Sequence, residues 1–256
     1  MFCFQDSYFQ NKRFLITGAS SGMGAHIALS LNSMGAEILA IARNEEKLLQ
    51  KQESSKFPER FHPISRDLSE IDGLDRWTID LVKQYGCCDG AVLSAGYQQI
   101  APISSVLSVE SAISLFKTNY FGNLQVIKGL VDRRAKSTKN ASFVILSSNS
   151  SVKAQKGLCN YSATKGAINT AIRSIALEIA PLSYRINAIS PGFVMTEMIQ
   201  EWSQVYDEEY ITNITKEYPL GIGHIEQITP LVCFLLSKDS MWITGQNIVI
   251  DGGASL

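Results

Sequence analysis

The feature that most constrains the fold is a short apolar run that leads into a glycine-rich turn and then a helical pattern. Arg13–Thr17 has the character of a buried strand, and the helical pattern continues through Met34. Between them lies Gly18-Ala-Ser-Ser-Gly22-Met-Gly24, with glycines spaced GxxxGxG. Glycines allow a tight turn and close backbone approach, and a helix amino terminus offers unpaired N–H groups to an anion. This order predicts a dinucleotide-phosphate site; a plain tight turn is the alternative.

Apolar runs and helical patterns alternate along the rest of the chain. Further strands are predicted at Glu37–Ala42, Phe61–Ser65, Asp89–Ser94, Ser142–Ser148, Arg185–Ser190 and Asn247–Ile250. Helices are predicted at 44–52, 70–85, 108–131, 161–182 and 225–237. No linker or repeat interrupts the alternation, so we expect one α/β domain over 1–256. Its fold would be a Rossmann-like, doubly wound parallel sheet of about seven strands with helices on both faces. The polar and aromatic segment 193–218 is typical of a lid over a substrate.

Composition excludes several classes of protein. A formal net charge of -1 gives no indication of a nucleic-acid partner or a polybasic membrane contact. No apolar stretch approaches the roughly 20 residues needed to cross a bilayer, and residues 1–11 lack the pattern of a secretory signal. The three histidines are scattered and no CxxC occurs, so we expect neither a metal site nor a disulfide framework. Free thiols fit a reducing, cytoplasmic location; the five cysteines are Cys3, Cys87, Cys88, Cys159 and Cys233.

Tyr161 and Lys165 carry the clearest chemical signal. Four residues apart on a predicted helix, they share one face. A free tyrosine has a pKa of about 10, and a neighbouring cation favours the phenolate. That pair suits a proton donor to a carbonyl oxygen. Taken alone, the spacing also fits a surface tyrosine beside a solvated lysine.

Residues at the ends of the second and third strands suggest which dinucleotide binds. The second strand ends at Ala42, and Arg43 follows it, where an arginine can pair with a 2′-phosphate. We therefore predict NADP(H) rather than NAD(H). The alternative is that Arg43 begins a solvated helix. Asp67 could accept a hydrogen bond from the adenine amino group, cap the helix 70–85, or do both.

Two further residues, Gly96 and Asn119, are candidates for the same ligand site. Gly96 follows the fourth strand and would let a flat ligand lie against the backbone. Asn119 falls in the middle of the predicted helix 108–131, where asparagine is mildly unfavourable. It therefore either has a function there or is simply exposed.

These features occur together in one order, with Ser94-Ala95-Gly96, Asn119, Ser148 and Pro191-Gly192 around Tyr161 and Lys165. Ser148 precedes Tyr161 by 13 residues. The combination resembles the short-chain dehydrogenase/reductase family in its compact form, near its 3-oxoacyl-acyl-carrier-protein reductase-like members. Two departures matter, the first from the family's usual sequence and the second from that of the sub-family. Leu93-Ser94 replaces the usual Asn-Asn, and Pro219-Leu-Gly-Ile-Gly-His224 lacks the arginine that many acyl-carrier-protein reductases carry.

The resemblance implies a reversible, NADP(H)-dependent reductase of a ketone or aldehyde. Ser148 would bond the carbonyl oxygen and Tyr161 would be the acid/base. Lys165 would lower the Tyr161 pKa and bond the nicotinamide ribose, and Asn119 would hold a relay water. The implied cofactor residues are Thr17, Gly18, Ser20, Ser21, Gly22, Met23, Gly24, Arg43, Asn44, Asp67, Leu68, Ser94, Ala95, Gly96, Tyr161, Lys165, Pro191, Gly192, Val194 and Thr196. The substrate residues would be Ser148, Asn149, Cys159, Tyr161, Phe193, Met198 and Trp202.

The resemblance also implies a homotetramer or homodimer packed through the two long helices and the last strand. Two other functions stay open at this point. One is a cofactor-binding scaffold or regulator without useful turnover. The other is an epimerase or dehydratase that uses the same Tyr161 and Lys165 pair.

Overall fold

The centre of the fold is a parallel sheet of seven strands, in the order β3-β2-β1-β4-β5-β6-β9. The computed structural model describes residues 8–104, 108–135, 137–195 and 208–256, without the side chains of Glu208 and Tyr210. The predicted doubly wound sheet is confirmed, since the strand order reverses between β1 and β4. The strands are β1 Arg13–Thr17, β2 Glu37–Ala42, β3 Phe61–Ser65, β4 Gly90–Leu93, β5 Ser142–Leu146, β6 Arg185–Pro191 and β9 Asn247–Ile250.

Helices cover both faces of the sheet because neighbouring residues of a strand point to opposite sides. In β1, Leu15 faces a core formed with α3, α5 and α6, whereas Phe14 and Ile16 face a core formed with α1 and α8. The helices are α1 Gly22–Ser33, α2 Glu45–Glu53, α3 Leu74–Tyr85, α4 Val109–Phe116, α5 Asn123–Val131, α6 Cys159–Ile179, α7 Glu208–Thr215 and α8 Ile225–Leu236. The carboxyl ends of the parallel strands therefore share one edge, where ligands bind in such sheets.

The long helix predicted over 108–131 is not continuous. A π-helical stretch, Lys117–Gly122, separates α4 from α5. Gly122 packs so closely on the Leu68 carbonyl oxygen that a β-carbon there would collide with it. Asn119 lies within the π-helical stretch and is fully buried, so the exposed alternative for it is wrong.

The helix predicted over 70–85 begins later, at Leu74. Gly73 precedes it with φ of 73°, a left-handed conformation that glycine adopts readily. Asp67 does not cap this helix; its Oδ1 accepts a hydrogen bond from the Ser69 N–H at 2.8 Å. The N-cap alternative for Asp67 is therefore wrong.

The predicted lid is only partly described. Its described parts are β7, Val194–Met195, and α7, followed by a turn to Tyr218. Strand β7 pairs with β8, Gly223–His224, in a short second sheet that the sequence did not predict. Within the described ranges, no helix combines the length and apolar character needed to cross a membrane.

Candidate active site

The glycine-rich turn joins β1 to α1 at the carboxyl edge of the sheet. Gly18 has φ of 67°, and a β-carbon on it would lie 3.0 Å from the Ala95 nitrogen. A β-carbon on Gly24 would collide with the Gly18 carbonyl oxygen. Among the described residues, no side chain caps α1, and no acidic residue occupies its first turn. The turn is therefore tight, and although the Ala19 N–H donates to the Ile41 carbonyl, no side chain caps the amino terminus of α1 among the described residues, which fits a dinucleotide pyrophosphate there.

Thr17, just before the turn, is buried, whereas most residues of the turn itself are only half-buried. Thr17 is fully buried, and its Oγ1 accepts hydrogen bonds from the N–H groups of Ser94 and Ala95, at 3.1 and 3.0 Å. Thr17 thus holds the end of β1 to the end of β4. Its two bonds fix the backbone at Ser94, which stands where the family resemblance leads one to expect asparagine. The half-buried residues that border the turn itself are Gly18, Ser20, Ser21, Gly22 and Met23.

The ends of β2 and β3 form the part of the edge predicted to hold the adenosine. Arg43 is exposed in the loop between β2 and α2, outside the helix. Asn44 caps α2, since its Oδ1 accepts from the Lys47 N–H at 2.8 Å, so the oxygen of this predicted cofactor residue is already engaged.

Two cations, Arg43 and Arg66, act on Asp67 at this end of the edge. Burial alone would raise the pKa of Asp67, but hydrogen bonds from Ser69 and the charges of Arg43 and Arg66 outweigh it, so its pKa is lowered. Asp67 is therefore an anionic acceptor within the field of Arg43, and Leu68 beside it is buried. This placement suits an acceptor for the adenine amino group.

Lys165 is the most strongly perturbed group at the edge. It is 5% exposed, and its Nζ donates to the Leu146 carbonyl at 2.7 Å. Burial lowers the pKa of Lys165 to about 8. The same Nζ lies 5.6 Å from the centroid of the Tyr161 ring. The predicted pair therefore shares one face of α6, against the end of β5.

Ser148 follows β5 and begins a short 3-10 turn. Its Oγ accepts hydrogen bonds from the Ser150 N–H at 3.2 Å and from the Ser150 hydroxyl at 3.0 Å. With its oxygen engaged in this way, the Ser148 hydroxyl proton can be donated elsewhere. That is the role required of a donor to a substrate oxygen.

Asn119 joins the π-helical stretch to α6 and to the end of β4. Its Oδ1 accepts from the Tyr97 N–H at 2.9 Å, and its Nδ2 donates to the Tyr97 carbonyl and to Thr164 Oγ1. A β-carbon on Gly96 would lie 3.1 Å from Asn119 Oδ1 and 3.5 Å from Lys165 Nζ. The structure thus brings together Gly96, Asn119 and Lys165, which are far apart in sequence.

The other predicted substrate residues differ in burial and in their hydrogen bonds. Asn149 is 3% exposed and its Nδ2 donates to Asp251, so its side chain faces the interior, and its predicted contact with substrate stays a prediction. Cys159 is exposed and lines a shallow cavity of about 360 Å³ on the serine-rich side of α6. Phe193 donates its N–H to the Tyr218 hydroxyl at 2.9 Å. Thr196, Met198 and Trp202 fall outside the described residues.

The carboxyl end of β6 leads to the residues predicted to contact the nicotinamide. Pro191 ends β6, and the Gly192 N–H donates to the Ile250 carbonyl at 3.0 Å. Val194 is buried in β7. In the described part of the chain, no three His, Cys, Asp or Glu side chains cluster as metal ligands would.

Comparison with known proteins decides the family. A family model described as "Enoyl-(Acyl carrier protein) reductase" matches residues 18–255. The chain belongs to the short-chain dehydrogenase/reductase family. It is 30% identical over 251 residues to a glucose 1-dehydrogenase of Gluconobacter oxydans, covering 97% of this chain and 93% of that protein. It is also 30% identical over 246 residues to a 3-oxoacyl-[acyl-carrier-protein] reductase of Thermotoga maritima, covering 95% and 98%.

Solved structures agree with this assignment. A short-chain dehydrogenase/reductase from Brucella melitensis matches with a TM-score of 0.88 and 27% identity, over 98% of this chain and all of that one. An aldohexose dehydrogenase from Thermoplasma acidophilum matches with a TM-score of 0.86 and 25% identity, over 98% and 96%. As a member of this family, the protein is an NAD(P)-dependent oxidoreductase that acts on alcohol or carbonyl groups.

Sequence reasoning missed a group of contacts behind the Ser148 turn. Lys153 Nζ pairs with Glu217 Oε2 at 2.9 Å and lies 5.7 Å from the centroid of the Tyr218 ring. Asp251 bonds Asn149 from 102 positions away. The Asp251-Gly-Gly sequence was visible as the end of the last strand, but nothing in its local pattern showed which loop it would meet.

Proposed function

We propose that this enzyme is an NADP(H)-dependent reductase of a ketone or aldehyde that also runs in reverse as an alcohol dehydrogenase. The observation that carries the proposal is the buried Lys165 ammonium, 5.6 Å from the Tyr161 ring. A cation kept out of water favours the phenolate strongly, because charges interact more strongly at low dielectric. Tyr161 is then the general acid in reduction and the general base in oxidation.

The other residues act on the substrate oxygen. When bound, the nicotinamide cofactor supplies or accepts the hydride. As negative charge builds on the carbonyl oxygen, Ser148 Oγ and the Tyr161 phenol donate hydrogen bonds to it. Asn119 fixes the backbone of Tyr97 and the Thr164 hydroxyl, which keeps the floor of the site rigid beside Lys165.

The residues that would hold the cofactor follow the carboxyl edge of the sheet. The pyrophosphate would lie on the turn from Gly18 to Gly24, and the adenosine would lie beside Asp67 and Leu68. The nicotinamide would lie toward Gly192 and Lys165. The proposed preference for NADP(H) depends on Arg43, the exposed cation at the end of β2.

Replacing Arg43 by alanine should weaken NADPH binding and leave NADH binding nearly unchanged. A hydrogen-bonded charge pair contributes about 1.5–3 kcal/mol, so the NADPH Kd should rise roughly tenfold to a hundredfold. Titrations of both cofactors by fluorescence measure the change. Lys47→Ala, which removes an exposed cation one turn away, is the control. Equal losses for NADPH and NADH would contradict the assignment of the 2′-phosphate to Arg43.

The function itself is tested by following NADPH absorbance with a panel of carbonyl compounds. The panel contains keto sugars, β-ketoacyl thioesters, quinones, steroids and simple aromatic ketones. Sugars and acyl thioesters come first because relatives are named as glucose 1-dehydrogenase, L-xylulose reductase and acyl-carrier-protein reductase. Turnover of one class that requires Tyr161 supports the proposal. Product that appears without any change in NADPH would instead favour an epimerase or dehydratase.

We also propose that the enzyme assembles as a homodimer or homotetramer in the cytoplasm. Four large apolar side chains lie exposed on the α4–α6 side, namely Val109, Ile113, Phe121 and Leu177. Ala163 of α6 is also exposed, and a small side chain there would allow a partner helix to approach closely. At the other end, Trp242 is fully exposed near the edge strand β9. Apolar patches of this kind mark protein interfaces.

Light scattering should therefore give a mass at least twice the chain's 28.2 kDa. Leu177 is 79% exposed, and its replacement by aspartate places a charge in the proposed interface. Leu177→Asp should shift the protein toward the monomer at micromolar concentration without lowering its helix content. The exposed Leu220 provides a control, as Leu220→Asp, on another surface. A monomeric parent protein would contradict the proposal.

A further inference from the structure

Asp251 is a buried carboxylate to which the proposed reaction assigns no role. It is 8% exposed and follows β9 at the carboxyl edge of the sheet. Its Oδ1 accepts from the Gly253 N–H at 3.1 Å and its Oδ2 accepts from Asn149 Nδ2 at 3.3 Å. Because β6 lies between β5 and β9, this second bond crosses over the end of β6. Asp251 therefore joins the last strand to the turn that carries Ser148.

The surroundings of Asp251 hold it in this position. A β-carbon on Gly192 would lie 2.7 Å from the Asp251 β-carbon and 2.8 Å from the Tyr218 ring. The missing side chain at Gly192 thus leaves the space that Asp251 occupies. Burying a carboxylate is unfavourable unless hydrogen bonds compensate for lost water. Here both oxygens have donors, one from its own turn and one from the Ser148 turn.

Asn149 transmits this constraint to Ser148 because the two residues are adjacent. Asn149 begins the 3-10 turn Asn149–Ser151, and Ser148 is its N-cap. The Ser151 hydroxyl donates to the Ser148 carbonyl, and Ser150 donates to Ser148 Oγ. With the asparagine side chain held by Asp251, the turn can orient the serine hydroxyl toward the carbonyl oxygen. A donor that is already oriented loses no free energy to reorganisation during the reaction.

We propose that Asp251 is a positioning residue for Ser148 and acts through Asn149. The inference rests on the proposed role of Ser148 as a donor to the substrate oxygen. It assigns Asp251 no contact with substrate or cofactor.

An exchange of the two side chains tests the proposal. Asp251→Asn leaves one acceptor oxygen for two donors, so one bond is lost. Asn149→Asp puts two carboxylates against each other. The double variant, Asn149→Asp with Asp251→Asn, restores both bonds. The amide placed after β9 can donate to the carboxylate placed in the Ser148 turn, while its oxygen still accepts from the Gly253 N–H.

The rates expected for these variants follow from the two bonds. Each single change should slow hydride transfer about tenfold, because small misplacements of reacting groups are costly. The double variant should recover to within about threefold of the parent rate. Additive losses in the double variant would overturn the proposal.

The second measurement separates Ser148 from general structural damage. In single turnovers with bound NADPH, Asp251→Asn should slow a Ser148→Ala enzyme by less than about twofold, since coupled residues are not additive. The NADPH Kd should change little, and the Tm should fall by about 2–4 °C per kcal/mol of the lost hydrogen bond in both backgrounds. An equal slowing in both backgrounds would show that Asp251 does not act through Ser148. If Ser148→Ala itself retained the full rate, the proposed function of Ser148 would fail instead, and the two failures are thereby distinguished.

Discussion

Replacing Tyr161 by phenylalanine is expected to reduce turnover by about 10²–10⁴-fold, the range that a positioned general acid contributes. The ring and its place beside Lys165 are kept, so only the phenolic proton donor is lost. NADPH affinity should fall by much less than the rate. Single-turnover oxidation of bound NADPH, together with a fluorescence titration of the cofactor, separates the two effects.

Tyr184 offers a matched control for that substitution. Its hydroxyl donates to the Ser137 carbonyl at 2.8 Å, in the core rather than at the carboxyl edge. Tyr184→Phe should lower the free energy of unfolding by about 1 kcal/mol, the typical contribution of one hydrogen bond, and leave the rate near that of the parent. If Tyr161→Phe kept most of the rate, another group would have to supply the proton.

The sheet could be predicted from the sequence because its signals are local. Buried parallel strands are short, continuous apolar runs, and the bounds expected for β1, β2, β3 and β9 agree with the structure. The glycine turn was equally visible, since a side chain at Gly24 has no room beside the Gly18 carbonyl. Short stretches of sequence are therefore enough to predict the strands and the glycine turn.

The details that shape the site depend on contacts between distant parts of the chain. The π-helical stretch around Asn119 forms where the side chain bonds Tyr97 and Gly122 meets the Leu68 carbonyl, and helical periodicity alone showed neither contact. Asn149 lies in a polar segment after β5 of the kind that lines binding sites, yet its side chain is buried and donates to Asp251. The sequence pattern located the edge of the sheet that carries the site, but it did not show which side chains there face the ligand.

Cofactor binding is expected to weaken as the pH rises through about 8, because burial lowers the pKa of Lys165 to that value. Below this pH the ammonium form predominates; above it the lysine loses its charge. An anionic dinucleotide binds the charged form better, so binding raises the pKa and takes up a proton. The linkage predicts that the NADPH Kd rises by up to roughly tenfold per pH unit above about pH 8. Calorimetry near that pH, in two buffers that differ in ionisation enthalpy, measures the proton uptake directly.

Lys165→Met tests the source of that dependence and should also produce a large loss of activity. Without the cation, the Tyr161 phenolate is no longer stabilised, so the rate at about pH 7 should fall by 10²-fold or more. The rise in Kd through about pH 8 should disappear, and binding should release or take up no proton there. Lys238→Met removes an exposed lysine beyond α8 and should leave both profiles unchanged. A pH dependence that survived Lys165→Met would have to come from another group, and the buried lysine would then not be the charge that the cofactor and Tyr161 share.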